Sequence, residues 1–523
     1  MKQLLRLCKL ACCGAVAMLT VACGGGSDYR DLLPVDSFVT VSVSPSSLAE
    51  KSGAGDITQN PLYIRLAAEL ESFEGLTPEE KEYLLTLLRT PEESGIDTKK
   101  DQFLFVSTDI PVDGNVTASM SQKFGVLMPL GDRAKFDALI GRICQKGGLT
   151  VETEQGVSCL TIGESAPYSG LCAYDDRAVL LYFATGSLDA VRADAVALFG
   201  QKRSESLMGN ADIAKQLTQQ NDINMVVSYA GMSSLLNNPM LSSLPMIGAL
   251  KSMSVVGSMN FEKGEIVSDF AVCYADAESK RQIEEGYAYM AAQKGALLRY
   301  VPANSIAVMG FGLDGEKLLE LVSSLPGGAM LVASPQVAQV MKAFDGDVAV
   351  SFSGMSANGL YPIGSVLAEI GDPAAVDTIV ANLGGMPVQK SAEGAYTLEA
   401  GGASIQFGVK EGVFYLTTDA AVKAALDGAS FDSLESQEKI FNKQNATFYL
   451  DFQGLQTLLS TYAGSDPDMA EALSVLGIFD EMEAYSTLES GRMVVRMTDR
   501  EQNALESICD AVGALIVRYL PAE

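Results

Sequence analysis

Two segments of the chain have similar sequences, and this repeat constrains the fold more than any other feature. Residues 33 to 51 read LPVDSFVTVSVSPSSLAEK, and residues 301 to 319 read VPANSIAVMGFGLDGEKLL. Each copy has an apolar residue before Pro, then Asp or Asn followed by Ser, an apolar run and a helix-forming segment. Self-similarity at a long period indicates that one structural unit is used more than once. A chain of 523 residues has room for several such units, each with its own core.

Shorter matches follow in the same order. Residues 125 to 140 and 365 to 380 share six identical positions, where about one is expected by chance. The identical pairs are Val126 and Val366, Leu127 and Leu367, Gly131 and Gly371, Asp132 and Asp372, Ala134 and Ala374, and Asp137 and Asp377. The separation between matched residues shrinks smoothly along the chain, as deletions in surface loops would produce.

These matches predict two homologous halves, residues 33 to 298 and 299 to 523. The alternative is a finer, four-fold repeat, because strand-then-helix phrases near residues 37, 225, 305 and 447 resemble one another.

Local patterns within each half predict a mixed fold. Residues 149 to 183 hold short strands separated by turn residues, which is typical of an antiparallel meander. Residues 254 to 261 and 265 to 274 form a predicted hairpin around Lys263 and Gly264. Asp132 is predicted to cap a helix whose apolar face is Phe136, Leu139, Ile140 and Ile143. The sequence therefore predicts an α+β fold of two tandem homologous domains, each a mainly antiparallel sheet covered by helices.

The first 22 residues are typical of a secretory signal. A short basic start precedes an apolar centre that is too short to span about 30 Å of hydrocarbon. The sequence LTVAC at residues 19 to 23, followed by glycines, resembles a bacterial lipobox. We predict that residues 1 to 22 are a lipoprotein signal peptide, that Cys23 carries the lipid, and that residues 23 to 32 are a flexible tether. An ordinary cleaved signal with an incidental cysteine is the alternative.

The lipobox, the Pro-x-Asp-Ser phrase and the later Pro-x-Asn-Ser phrase together resemble a large uncharacterised family of Bacteroidales envelope lipoproteins that carry a domain of unknown function. The resemblance implies a cell-envelope protein bound to the membrane through diacylglycerol and palmitate on Cys23. A glycine directly after the cysteine, here Gly24, resembles the pattern in lipoproteins of the outer membrane. The resemblance does not distinguish the periplasmic side of that membrane from its surface side. The resemblance implies no catalytic residues.

Composition excludes several kinds of chemistry. The net charge of -28 argues against a nucleic-acid partner, because phosphates are held chiefly by Lys and Arg. The chain has no His, which removes Ser-His-Asp catalysis, Cys-His catalysis and His-containing zinc sites. It also has no Trp, a common stacking platform in sugar sites. We therefore predict no metal and no cofactor, and we assign no catalytic residue.

A glycine motif in the second copy needs separate treatment. Residues 310 to 315 read GFGLDG, formally G-x-G-x-x-G between a strand and a helix. The same strand-to-helix turn recurs elsewhere in the chain without this set of glycines. The motif is therefore interpreted as a structural turn, and no nucleotide partner is predicted.

Without His, catalysis would have to use carboxylates, Lys, Tyr or Cys, and the acidic residues are considered first. Asp345 with Asp347, and Asp466 with Asp468, form short clusters that lack the ligand spacing of a calcium loop. The recurrent Asp132 follows a glycine at a helix start, which favours capping. A pair of carboxylates brought together by the fold would still suit a hydrolase.

Five cysteines besides Cys23 follow the predicted signal, an odd number without a C-x-x-C motif. Cys159 and Cys172 are equidistant from a turn. If their segments pair as a hairpin, they are expected to lie opposite each other and could form a disulfide. Two small buried residues side by side are the alternative.

These observations favour a non-enzymatic protein with a binding or scaffolding role. The partner is predicted to be a protein or a glycan, bound in a groove between the halves or on an exposed sheet face. The alternative is a carboxylate-dependent hydrolase acting on glycan or peptide in the envelope. In a third possibility, one half has become a support for the other.

Overall fold

The structure is a computed structural model of the chain. It describes residues 28 to 523 except 54, 56, 57, 59, 110 to 120, 166, 233 to 246, 326, 383 to 386, 393, 464 to 466 and 520 to 523. The predicted signal peptide and Cys23 lie outside the described residues. No helix in these ranges is long and apolar enough to cross a membrane.

The described strands fall into two sets of ten. The first set is β1 (Val39–Val43), β2 (Gln102–Asp109), β3 (Ser121–Pro129), β4 (Val151–Glu154), β5 (Val157–Ser165), β6 (Tyr168–Tyr174), β7 (Ala178–Thr185), β8 (Ile223–Ser228), β9 (Met253–Glu262) and β10 (Glu265–Tyr274). The second set is β11 (Ala307–Asp314), β12 (Phe344–Met355), β13 (Pro362–Ile370), β14 (Val388–Lys390), β15 (Tyr396–Ala400), β16 (Ala403–Lys410), β17 (Val413–Thr417), β18 (Ala446–Asp451), β19 (Phe479–Ser486) and β20 (Ser490–Met497).

The α-helices lie between these strands and after the last one. They are α1 (Pro45–Lys51), α2 (Pro61–Ser72), α3 (Pro78–Arg89), α4 (Arg133–Gly147), α5 (Leu188–Gly200), α6 (Ala211–Leu217), α7 (Ile247–Leu250), α8 (Ala277–Gly286), α9 (Gly315–Ser324), α10 (Gly328–Val332), α11 (Pro335–Ala343), α12 (Ala374–Ala381), α13 (Ala420–Leu426), α14 (Glu438–Phe441), α15 (Phe452–Ala463), α16 (Pro467–Leu476) and α17 (Ala504–Tyr519).

All the described strands join one sheet, and every pairing in it is antiparallel. Following the pairings from one edge to the other gives the order β4-β5-β6-β7-β3-β2-β1-β8-β9-β10-β20-β19-β18-β11-β12-β13-β17-β16-β15-β14. The order is symmetric about its centre. Read from one edge, the strands are β4, β5, β6 and so on; read from the other edge, they are β14, β15, β16 and so on, each numbered ten higher. The junction between the two sets is the pair β10 and β20.

The register repeats as well as the order. Val39 in β1 lies opposite both Val106 and Val227. Ala307 in β11 lies opposite both Phe352 and Leu450. Positions that occupy the same place in the two pairing patterns are called equivalent positions below. Leu127 and Leu367, which the sequence matches to each other, are equivalent because they lie opposite Phe103 and Ala349.

One face of the sheet carries the two largest cores. In the first set of strands, Phe103, Phe105 and Tyr182 are buried with residues of α5 and α6. In the second set, Val308 and Leu367 are buried with residues of α13 and of the 3-10 helix Ala296–Tyr300. Burial of these apolar side chains is the main force that holds helices onto the sheet.

The predicted α+β class and the antiparallel pairing are confirmed. The expectation of a separate sheet in each domain is wrong, because the strands of both halves form one sheet. Without this junction, β10 and β20 would each expose a full edge of unpaired N–H and C=O groups. The predicted boundary at residue 298 falls within the 3-10 helix Ala296–Tyr300.

The predicted flexible tether at residues 23 to 32 is too long. Tyr29–Leu32 is a 3-10 helix whose Asp28 cap accepts a hydrogen bond from the Arg30 backbone. Tyr29 and Leu32 are buried in the first core, and the Tyr29 hydroxyl donates to the carbonyl oxygen of Asp101 at 2.6 Å. The folded body therefore begins at or before Asp28.

Candidate functional site

Two rows of apolar side chains cross the sheet on the face opposite the two largest cores. Residues directly opposite each other on neighbouring strands share a face. The first row crosses β8, β1, β2, β3 and β7 through Met225, Val41, Leu104, Val126 and Leu181. The second row crosses β18, β11, β12, β13 and β17 through Phe448, Met309, Val350, Val366 and Leu416. The two rows consist of equivalent positions, and we call them the apolar rows.

The apolar rows are partly open to solvent. Met225 is 42% exposed, Met309 is 45% exposed and Leu416 is 39% exposed. Beside the first row, the rings of Phe124 and Phe183 lie 6.4 Å apart, and Phe124 is also exposed. Adjacent exposed apolar side chains mark contact surfaces more often than isolated ones do. The rows are therefore the first candidate for a binding surface.

Helices frame this face. Phe136 and Ile140 of α4 pack against Met128 and Cys172 near the outer end of the first row. Ile143, predicted on the same helix face, is instead 43% exposed, because the packed stripe of α4 is narrower than its apolar pattern.

The second row is framed in a similar way. Ala343 of α11 and Val376 of α12 pack against Phe407 near its outer end. Ala504 of α17 packs against Val495 close to the junction. Met225, Met309 and Leu416 are the residues of the rows that stay exposed within the part of the chain that the structure describes.

A row of polar residues crosses the junction on the other face. It runs through Asn224, Ser258, Asp269, Arg492, Tyr485 and Thr447. An Nη1 atom of Arg492 lies 3.3 Å from Oδ1 of Asp269, and both side chains are exposed. The residues of this row were not singled out by sequence reasoning, because the strand pairing that brings them together is non-local.

Two nearby acids, Glu481 and Glu483, share one cation. Arg496 contacts Oε1 of Glu481 at 2.6 Å and Oε2 of Glu483 at 2.9 Å. These hydrogen bonds raise the pKa of Arg496 above its ordinary value, and the bond to Glu483 has the largest effect. A carboxylate pair held by a guanidinium group is poorly suited to act as the acid and base of a hydrolase.

Of the acids singled out from the sequence, three accept hydrogen bonds from backbone N–H groups. Asp347 is 3% exposed and accepts hydrogen bonds from the backbone N–H groups of Lys294, Gly295 and Ala296. Asp132 accepts from the N–H of Lys135, and Asp372 accepts from the N–H of Ala374. Asp132 therefore caps the start of α4, as predicted, whereas Pro373 occupies the N-cap position of α12 and Asp372 lies one residue before it.

The acidic clusters show no metal site within the part of the chain that the structure describes, where no group of three or more His, Cys, Asp or Glu could hold a metal ion. Asp466 lies outside that part. Burial raises the pKa of Asp101 to about 6, and the neighbouring Arg30 partly offsets this rise.

The glycine motif of residues 310 to 315 lies against the chain itself. A β carbon on Gly312 would overlap the carbonyl group of Ala291, and one on Gly310 would overlap the side chains of Gln293 and Phe441. A β carbon on Gly315 would overlap the carbonyl oxygens of Met341 and Phe344. Close approach of these neighbouring parts of the chain explains the glycines without a bound phosphate.

The cysteine hairpin is present, but its predicted register is wrong by one residue. Cys159 lies opposite Ala173, and Leu160 lies opposite Cys172. The two cysteines therefore point to opposite faces of the sheet, where they join different cores. Both are buried free thiols in this structure. Burial raises the pKa of Cys172 to about 12.

Asp137 and Asp377, one of the six identical pairs, have related surroundings. Asp377 accepts hydrogen bonds from the Tyr396 hydroxyl and from Lys390, whose Nζ lies 4.7 Å from the centre of the Tyr396 ring. Asp137 is bound by Arg133, which lies 4.6 Å from the centre of the Tyr174 ring. Each aspartate orients a cation over a tyrosine on the helix-covered part of the sheet.

A cavity of about 1260 Å³ lies between α16 and α17. Glu471, Asp499 and Asp510 line it together with Arg500. Its polar side chains bond largely within the cavity wall, as in the hydrogen bond from Gln502 to Asp510 at 3.0 Å. We assign no ligand to it.

Comparison with known proteins gives a family and no activity. No curated protein and no solved structure matches the chain. A family model described as Domain of unknown function (DUF4836) matches residues 29 to 427. That range ends at Asp427, directly after α13, and it includes the whole first apolar row. The chain therefore belongs to the family defined by the DUF4836 domain of unknown function.

Proposed function

We propose that this protein is a lipid-anchored protein of the cell envelope that binds a partner protein through the apolar rows. In this proposal, Cys23 carries the lipid and the outer membrane holds the anchor. The binding role is non-enzymatic.

A single observation carries the binding role. The same face of one sheet presents two equivalent rows of apolar side chains, and Met225 and Met309 are more than two-fifths exposed within them. A soluble surface gains nothing from such side chains unless something covers them in use. The flexible thioether side chain of methionine suits a surface that adapts to a partner.

The chemistry of the rows favours a protein over a glycan. The rows contain aliphatic, methionine and phenylalanine side chains, which match the apolar side chains of another protein. A glycan needs hydrogen-bonding groups, which these positions lack. The net charge of -28 further favours a neutral or basic partner surface.

We also propose that the two halves arose by internal duplication. The matched identities and the repeated strand order support this proposal. Duplication would give the protein two related copies of one binding surface, so that one molecule could bind two sites or one symmetric partner.

The short N-terminal segment supports a position close to the membrane. With Tyr29 in the folded body, five residues follow Cys23 up to Asp28. Such a segment reaches at most about 18 Å when fully extended. In this proposal Asp28, where the folded body begins, is therefore held close to the membrane surface.

Site-specific photo-crosslinking in cells tests the binding role. A photoreactive residue placed at Met225 or Met309 should yield one shared crosslinked protein. Ile143 is the matched control position, because it is 43% exposed and apolar but lies on α4 outside the rows.

The double variant M225D/M309D completes the test. The protein identified by crosslinking should no longer co-purify with M225D/M309D, although this variant should keep the circular dichroism spectrum of the native chain. The same protein should still co-purify with I143D. Equal crosslinking from position 143, or full retention by M225D/M309D, would refute the proposal.

A further inference from the structure

Asp269 and Arg492 occupy equivalent positions in the two halves. Val272 lies opposite Val255, which lies opposite Val227 in β8. Val495 lies opposite Met482, which lies opposite Leu450 in β18. Because Val227 and Leu450 are equivalent, Val272 and Val495 are equivalent too. Three residues earlier on the same two strands stand Asp269 and Arg492.

These two equivalent residues also lie directly opposite each other. A residue that faces its own equivalent marks a local two-fold axis, because exchanging the two strands leaves the pair in place. The neighbouring residues follow the same rule. Phe270 lies opposite Gly491, while Met493, which is equivalent to Phe270, lies opposite Ser268, which is equivalent to Gly491. The junction therefore has the geometry of a symmetric contact between two copies of one strand.

Such a junction has a built-in ambiguity. The edge of β10 could pair with β20 of the same chain, or with β10 of a second molecule about the same kind of axis. Free sheet edges are templates for pairing between molecules. Something in the sequence must favour the first arrangement.

The charges at the axis provide that preference. Pairing β10 with β20 places a carboxylate opposite a guanidinium group, with an N to O distance of 3.3 Å. Pairing β10 with another β10 about this axis would place Asp269 opposite Asp269, and pairing β20 with another β20 would place Arg492 opposite Arg492. Like charges directly opposite each other destabilise an antiparallel pair.

We infer that Asp269 and Arg492 select the partner of the junction strands, favouring β10 with β20 over either strand with its copy in a second molecule. The surface concerned is the edge of β10, and the partner that it fits is β20. This inference depends on the strand register alone and not on the proposed binding role.

Charge exchange in the full chain tests the pairing preference. D269R and R492D each create like charges at the axis, and the double variant D269R/R492D restores opposite charges in reverse order. Each single variant should speed hydrogen exchange of the β10 and β20 amides by about two- to five-fold, as expected for one cross-strand pair. The double variant should return the exchange rates to those of the wild type. Failure of the double variant to improve on the single variants would overturn the inference.

A neutral pair tests the exclusion of a second molecule. D269S/R492S removes the discrimination, so refolding at rising protein concentration should yield a growing fraction of dimer by light scattering, whereas the wild type and D269R/R492D should stay monomeric. An equally monomeric neutral variant would overturn the inference.

The exposed pair Lys263 and Glu501 supplies the matched control, because it also joins the two halves but lies outside the β10 and β20 pairing. K263E/E501K should leave both the exchange rates and the refolded mass unchanged. A control that changes as much as the axis variants would also contradict the inference.

Discussion

Gly312 in β11 packs directly against the carbonyl group of Ala291, in the segment that connects the two halves. The contact leaves no room for a side chain. The backbone N–H of Ala291 also donates to the carbonyl oxygen of Gly312 at 3.1 Å. This glycine therefore fixes the connecting segment to the first strand of the second half.

Replacing Gly312 by Ala should lower the free energy of unfolding by about 1 to 3 kcal/mol, because backbone atoms must move apart to admit the methyl group. Urea denaturation of the full chain measures this change. Gly163 is the matched control, since it is also in a strand but has open space where a β carbon would stand. A loss no greater in G312A than in G163A would contradict the packing account of the glycine motif.

Asp347 should be the most sensitive of the acids in the cluster at residues 345 to 347. It is buried and accepts three backbone hydrogen bonds, so that D347A would leave those N–H groups unpaired. The expected loss is about 2 to 4 kcal/mol of unfolding free energy. The exposed Asp345 is the control, and D345A should change stability by less than about 0.5 kcal/mol. Equal effects of the two variants would argue that these three hydrogen bonds do not stabilise the fold.

The stability of the protein should contain a pH-dependent contribution from Asp101. Burial raises its pKa from 3.8 to about 6, so the folded chain holds this proton more tightly than the unfolded chain does. The contribution of Asp101 therefore becomes less favourable as pH rises from about 4 to 6, and the full penalty is present above that range. D101N should be more stable than the wild type at pH 8, and the difference should vanish below pH 4. A difference that is independent of pH would contradict this assignment.

Cys159 and Cys172 should remain unlinked. Their side chains lie on opposite faces of the hairpin, so a disulfide would require a shift of one residue in the β5 and β6 pairing. Intact-mass measurement after denaturation and alkylation, with and without reductant, should find both thiols modified in each case. Protection of both thiols in the unreduced sample would show that the shifted register forms.

The proposed anchor makes a simple prediction. C23S should move the protein from the membrane fraction to the soluble fraction and abolish labelling by a fatty-acid analogue. Cys273 provides the control, and C273S should leave both readouts unchanged. Membrane association that persists in C23S would show that another part of the chain binds the membrane.

Local features were predictable from the sequence. The hairpin around Lys263 and Gly264 has the strands predicted for it. Asp132 accepts a hydrogen bond from the N–H of Lys135 at the start of α4, as its position in the sequence predicted. Each of these features depends on residues a few positions apart, where propensity and spacing decide the outcome.

Features that depend on distant strands were not predictable in the same way. The pairing of Asp269 with Arg492 joins strands more than 200 residues apart, and no local pattern encodes it. The cysteine register failed because the turn is displaced. Ser165 pairs with Tyr168, so the turn lies one residue later than the turn on which the two cysteines are centred, and the irregularity between Thr161 and Gly163 then places Cys159 opposite Ala173. The positions of turn residues alone reveal neither the turn centre nor the bulge.

The apolar rows were only partly foreseen. The sequence indicated exposed sheet faces as binding surfaces, but alternating apolar residues on a strand are normally assigned to a core. Val41 and Met309 became surface candidates only when the strand register showed that the two main cores lie on the opposite face.

The joined sheet has a consequence for aggregation. Because β10 and β20 close against each other, β4 and β14 are the only edge strands among those described, and further strands can add only there. The β4 edge is four residues long, has all four residues exposed and bears Glu152 and Glu154. Two β4 edges from different molecules would bring like charges together, so this edge of the long sheet resists pairing with its own copy.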